Sequence, residues 1–133
     1  MWKSKMFFFI SLAMLITTSL WESCARLRHG LSLRYSESDR LYSLTAYYDR
    51  SQTWIVESYI NRCTEPDRLF HSENDRIDAW TKLNDHTAFK IKSSPGELEI
   101  ELDKRENSRQ SYYRIKQMCE GIKNELLKSN SHQ

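Results

Sequence analysis

The sequence predicts an α+β fold: an antiparallel sheet of about five strands with a C-terminal amphipathic helix packed on one face. Three observations predict it. Period-two alternation of apolar and polar residues marks segments near 31–60 and 89–103. The stretch 106–128 carries one apolar stripe at helical spacing. The 133 residues contain three Gly and two Pro, too few for a collagenous or linker-rich chain and consistent with a single domain.

Met1 to Ala25 reads as a secretory signal peptide. Lys3 and Lys5 form a positive start, and an apolar run from Met6 to Ile16 is broken by Ser11. That run is too short for a transmembrane helix, which needs about 20 apolar residues, and has the length of a signal-peptide core. Ser23-Cys24-Ala25 supplies small residues for cleavage before Arg26. Cleavage after Ser19, retention as an uncleaved anchor, and lipidation at Cys24 stay open. Ser23 suits a lipidation signal, whereas Trp21 and Glu22 depart from it. Residues 26–133 are then one disulfide-stapled α+β domain.

Within that domain Arg26 to Gly30 reads as a loose basic segment. Leu31, Leu33 and Tyr35 alternate with Ser32 and Arg34 as a strand, and Ser36-Glu37-Ser38-Asp39 is turn chemistry. Arg40–Tyr48 reads as a second strand and Thr53–Ile60 as a third, with Asp49-Arg50-Ser51-Gln52 between them, making a meander. A competing reading makes this N-terminal half mostly helical. Ile55, Val56, Tyr59, Ile60 and Cys63 fit a helical stripe with Ser51 as N-cap, and Leu41, Leu44 and Tyr48 fit the same period.

Thr64-Glu65-Pro66-Asp67 breaks the pattern. Asn74 is placed to cap a short helix in which Ile77, Trp80 and Leu83 share a face. Phe89 and Ile91, the turn Ser93-Ser94-Pro95-Gly96, and Leu98, Ile100 and Leu102 form the clearest hairpin, with Lys90 and Lys92 set to face Glu99 and Glu101. In the last helix Tyr112, Ile115, Cys119, Ile122 and Leu126 form the stripe, Asn107 or Ser108 caps the start, and Gly121 suggests close packing.

The charge balance is 20 Lys+Arg against 18 Asp+Glu, a net of +2. It excludes a polybasic nucleic-acid binder and an acidic tail, and membrane association is expected only through the leader or a lipid on Cys24. Three cysteines are present. Removal or lipidation of Cys24 leaves Cys63 and Cys119, which an oxidising compartment would pair.

Chemistry-bearing patterns are sparse. His71, Glu73 and His86 with a carboxylate are a conceivable zinc set, yet no His-Glu-x-x-His, paired Cys-x-x-Cys or EF-hand spacing occurs. No Gly-x-Ser-x-Gly elbow, phosphate loop or dinucleotide fingerprint occurs either. The reading assigns no catalytic residue, no metal and no cofactor. Aromatic residues are plentiful, and if both early segments are strands, Tyr47 and Tyr59 share a surface flanked by Arg50 and Arg62. Tyr47, Arg50, Tyr59 and Arg62 are therefore the candidate interface residues. The expected function is that of a periplasmic or secreted inhibitor or immunity-type protein whose partner is an enzyme or toxin. The alternative is a small-ligand-binding or structural accessory subunit of the cell envelope, and a metal-dependent hydrolase stands third.

Overall fold

The computed structural model describes residues 25–27 and 30–132, so the leader and the expectations attached to Met1–Cys24 lie outside the described residues. The elements run β1 (Ala25–Leu27), β2 (Leu31–Glu37), β3 (Leu41–Tyr47), α1 (Thr53–Thr64), β4 (Ile77–Lys82), β5 (Ala88–Ser94), β6 (Glu97–Asp103) and α2 (Arg109–Ser131). The strands form one antiparallel sheet in the order β1-β2-β3-β6-β5-β4. Five full strands, a short edge strand and a C-terminal helix make the α+β fold that the alternation and the stripe predict.

The sheet is two hairpins joined at their inner strands. β3 pairs with β6 so that Tyr42 faces Leu102, Leu44 faces Ile100 and Ala46 faces Leu98. All six are buried, as the period-two rule requires of one face. On the other side of β6, Ile91 of β5 sits opposite Ile100. Lys90 faces Glu101 and Lys92 faces Glu99 on the opposite side of the sheet. Gly96 adopts φ +80°, and a Cβ there would come within 2.9 Å of the Tyr48 carbonyl. The close approach has a purpose. The Gly96 carbonyl accepts from Tyr48 N (3.0 Å), and Gly96 N donates to Thr53 Oγ1 (3.0 Å). This turn thus joins the end of β3 to the start of α1.

Three readings of local pattern are corrected. Thr53–Ile60 is helix α1, not a third strand. The Asp49 carboxylate accepts from Ser51 N (2.9 Å) and opens a 3-10 turn, Arg50–Gln52, that runs into α1. Once started, the helix buries Thr53, Val56, Glu57, Ile60 and Thr64, a three-and-four spacing that a strand would split between two faces. Asp49, rather than Ser51, supplies the capping oxygen. The helical alternative holds only here, because Leu41–Tyr47 is strand β3. The meander is corrected with it: the neighbour of β3 opposite β2 is β6.

Second, Ile77–Lys82 is strand β4, not a helix capped by Asn74. Asn74 has φ +62°, whereas a cap residue needs extended backbone. Pairing with β5 satisfies the outer peptide groups of that strand, and three apolar residues at three-residue spacing are too weak a signal to outweigh it. Third, the segment expected to be loose from Arg26 begins inside β1, which pairs with β2.

Both helices cover the same face of the sheet. α2 buries Ile115, Met118, Cys119, Ile122 and Leu126 into one cluster with the strands and with Val56 and Ile60 of α1. Ser108 caps α2, its hydroxyl accepting from Ser111 N (3.0 Å). Asn107 ties that start to the sheet by accepting from Ala88 N (2.9 Å) and donating to Ala88 O (2.9 Å).

The helices pack side by side. Gln52 Nε2 donates to Asn130 Oδ1 (2.8 Å) at one end of the seam. At the other, Arg114 donates to the Cys63 carbonyl (3.0 Å) and forms an ion pair with Asp85 (2.7 Å). Between them the Tyr59 ring lies across Gly121, where a Cβ would overlap the Tyr59 hydroxyl and ring.

Gly121→Ala sets helix propensity against this contact. Alanine alone would favour the helix by about 1 kcal/mol, while displacing the ring costs about 1–3 kcal/mol. We expect the substitution to lower stability in the native chain and to raise it in a Tyr59→Ala background. Denaturant unfolding of the four chains in this double-mutant cycle checks the reversal of sign.

Candidate functional site

α1 has an inner and an outer stripe. The outer one is Trp54, Ser58 and Arg62, each four residues from the next and each exposed. Trp54 is 57% exposed, and an indole this open on a helix otherwise anchored in a core is unusual for a residue that normally gains from burial. Arg62 stands over the Tyr59 ring, 5.4 Å from its centroid.

Grooves flank this ridge on both sides, and Trp54 and Ser58 rim both. One, of about 320 Å³, lies toward the segment 68–73 and is lined also by Glu57, Asn61, Phe70 and His71. The other, of about 610 Å³, lies toward the end of α2 and is lined also by Ile55, Arg62, Glu125, Lys128 and His132.

The wall of the first groove is held by one side chain. Asn61 Oδ1 accepts from Leu69 N and Phe70 N (3.0 Å each), and its Nδ2 donates to Phe70 O (2.9 Å). The amide imitates a strand neighbour for a segment that has none, and Phe70 plugs the segment into the core. Beyond it, Asp75 accepts from His71 N and Ser72 N (2.9 Å each). These bonds and the Ser72 hydroxyl, the largest cause, hold Asp75 below the usual carboxylate range.

Glu57 lies at the base of this groove and is 4% exposed. Its Oε2 accepts from Asn74 N (3.2 Å), made possible by the left-handed backbone of Asn74. Its Oε1 is buried without a hydrogen-bond partner, as are Tyr48 Oη and Ser93 Oγ. Burial raises Glu57 above the usual glutamate range, the Asn74 amide opposes the shift, and the carboxylates of Asp75 and Glu73 add to it. The same Glu57 charge, after burial, helps to raise Tyr48.

The four interface candidates divide between two places. Tyr47, 49% exposed, ends β3 on the face of the sheet away from the helices, and Arg50 follows in the 3-10 turn. Tyr59 and Arg62 lie together on α1, with Tyr59 half-buried against α2. The shared face for Tyr47 and Tyr59 required both segments to be strands, and α1 removes that geometry. Trp54 is the exposed aromatic of the ridge. Its position at i, i+4, i+8 with Ser58 and Arg62 was the sequence signal for an outer helical face.

Among the described residues, no three His, Cys, Asp or Glu side chains converge as a metal site. His71 and Glu73 border the first groove, whereas His86 sits in the turn before β5 at φ +69°. A second polar cluster is closed on itself: Glu37 accepts from Tyr112 and forms ion pairs with Lys104 (3.0 Å) and Lys116 (3.8 Å). It bolts the end of β2 and the residue after β6 to α2, and its Glu37 and Lys116 also line a groove of about 410 Å³ between the sheet and α2. No helix among the described residues is long and apolar enough to cross a membrane. No family model matches the chain, and neither a curated protein nor a solved structure shows significant similarity to it.

Glu57 gives this site a pH signature. A carboxyl raised in the folded state loses stability as pH climbs above its unfolded value, because the unfolded chain releases that proton first. We expect Glu57→Gln to be more stable than the native chain at pH 7, with the gap closing as pH falls through the ordinary glutamate range. Urea unfolding of both proteins at several pH values measures the gap; a gap that widens toward acid contradicts the assignment.

Proposed function

We propose that the chain is an exported small binding protein, of inhibitor or immunity type, that engages a protein partner through the outer face of α1. The observation that carries this reading is Trp54, exposed on a ridge between two grooves with Arg62 two turns away. Trp, Tyr and Arg dominate binding energy at protein interfaces because they offer large, rigid or multiply hydrogen-bonding contacts. A specific interface needs about 800 Å² per partner, and a ridge with a groove on either side suits a partner that straddles the helix. The reading moves the emphasis from Tyr47 and Arg50 to Trp54 and Arg62, and keeps Tyr59 as support beneath Arg62. Export rests on the Met1–Ala25 leader.

One observation favours a second reading, a structural subunit of the envelope. Trp80 is 62% exposed on β4, an edge strand, and exposed edges invite strand addition. Asp78 and Lys82 on the same strand oppose this, since charges blunt an edge. A small-ligand role draws less support, because the groove between the sheet and α2, of about 410 Å³, is lined largely by charged side chains (Glu37, Lys116, Glu120 and Lys123) rather than apolar ones.

The two readings part in a capture experiment with envelope and culture fluid of the source organism. The immobilised native chain should retain one stoichiometric enzyme or toxin. Trp54→Ala should weaken that retention at least about tenfold, consistent with the loss of a central aromatic anchor, while Trp80→Ala leaves it unchanged. Retention of envelope components or of further copies of the chain, lost with Trp80→Ala instead, overturns the inhibitor reading.

A further inference from the structure

We propose that Cys63 and Cys119 are a cross-linking site: they close a disulfide across the α1–α2 seam, and the bond forms from Cys63 inward. The proposal is independent of what α1 binds. Both residues are thiols in this structure, Cys63 half-buried near the end of α1 and Cys119 fully buried in the middle of α2.

The register of the seam places them opposite each other. Gln52 and Asn130 touch across it at 2.8 Å. Cys63 lies eleven residues further along α1, and Cys119 lies eleven residues back along α2. Eleven residues make about three turns, so each helix returns to the face it presented at the first contact. Antiparallel helices also rise equally over equal counts, so the two cysteines share a level. One contact between these levels and one just beyond the cysteines keep the seam closed over this length. Tyr59 lies on Gly121, four residues before Cys63 and two beyond Cys119. The Cys63 carbonyl accepts from Arg114 at 3.0 Å. Tyr35 Oη donates to the Cys119 carbonyl at 3.4 Å, which fixes this turn of α2 against β2.

The environments of the two sulfurs set the order of reaction. Burial, the largest cause, pushes the Cys119 thiol up to about 12, with the charge of Glu120 and the Cys63 sulfur adding to it. Cys119 is therefore a poor first nucleophile. Cys63, at the surface of the seam, meets the oxidant, which we take to be a small organic disulfide such as oxidised glutathione. The Cys63 thiolate attacks one sulfur of that disulfide and releases one glutathione thiolate. Cys119 then gives up its proton, and its sulfur attacks the Cys63 sulfur and expels the second glutathione thiolate. Two electrons pass to the oxidant, both glutathione thiolates take up protons, and one Cys63–Cys119 bond remains. It closes a loop of 55 intervening residues around β4, β5 and β6.

The test uses the full reduced chain, shown to unfold cooperatively, then incubated with oxidised glutathione under native conditions. Free thiols are blocked after acid quench and unfolding, and the tryptic peptides are read by mass spectrometry. We expect peptide 63–68 linked to peptide 117–123 and an intact mass lower by two hydrogens. We also expect Tm to rise by more than about 10 °C, as closure of a loop this long implies. In the Cys119→Ser chain, Cys63 should instead hold glutathione as a stable adduct. Native protein that stops at a Cys63–glutathione adduct with Cys119 still a thiol overturns the proposal. So does failure of either cysteine to react, or a link from either to Cys24.

Discussion

Everything in this fold depends on the pairing of β3 with β6. Each belongs to a hairpin that could not bury its apolar face alone, and their pairing sets Tyr42, Leu44 and Ala46 beside Leu102, Ile100 and Leu98. The result is a continuous apolar platform, which both helices then cover. The pairing also dictates the route of the chain. Because β6 occupies the place next to β3, the segment after β3 cannot add to the sheet there. It crosses the apolar face as α1 and reaches the sheet again at the far edge as β4. The helix is the element whose own backbone bonds are satisfied while it makes that crossing.

The crossing explains what α1 offers to solvent. α2 occupies the same face, so α1 has a sheet beneath it and a helix at its side. Gly121 lets the Tyr59 ring settle into the flank of α2, and the buried stripe engages the sheet. The stripe left over is Trp54, Ser58 and Arg62. The long connection after α1 returns along the helix, held by Asn61, and builds the groove on the side away from α2. Groove and ridge are thus consequences of one topological demand, with side chains chosen to suit.

The strands legible in the sequence were those with strict alternation and a turn of unambiguous chemistry. The hairpin from Ala88 to Asp103 meets both conditions, with Lys and Glu on one face and Pro95-Gly96 at the bend. α2 was legible because its stripe persists over several turns. The segment from Thr53 to Ile60 was not decided by its own pattern, since Val56 and Ile60 fit either period. A non-local fact decided it: the strand position beside β3 was already taken by β6, which lies more than forty residues away in sequence. β4 was missed for the complementary reason. As an edge strand with solvent-facing Asp78, Ala79 and Trp80, it has little apolar alternation to display, and its conformation comes from pairing with β5. The candidate site inherited the first of these errors. Tyr59 was expected on an open face beside Tyr47, and turning the strand into a helix half-buries it against α2 while Trp54 takes the outer ridge.

Glu57 singles out the same place by a different route. Its neighbours on the inner stripe of α1 are Thr53, Val56, Ile60 and Thr64, all buried, and each either apolar or with its hydroxyl bonded. An apolar residue or a glutamine would fit that stripe, whereas a buried carboxylate with one oxygen unpaired and two further carboxylates nearby opposes folding at neutral pH. The other shifted carboxylates behave in the opposite sense. Glu37, Asp49, Asp75, Asp85 and Asp103 are held low by hydrogen bonds, with cationic neighbours adding to all but Asp49, so they favour the fold above their unfolded range and lose that contribution as pH falls. These five serve turns and ion pairs that secure the scaffold. Glu57 alone among them runs against stability, and it does so beneath the groove that Trp54 borders. Sequences depart from their own packing logic mainly where function requires it. An exposed indole and a destabilising carboxylate, one turn apart on α1, are two such departures at a single site.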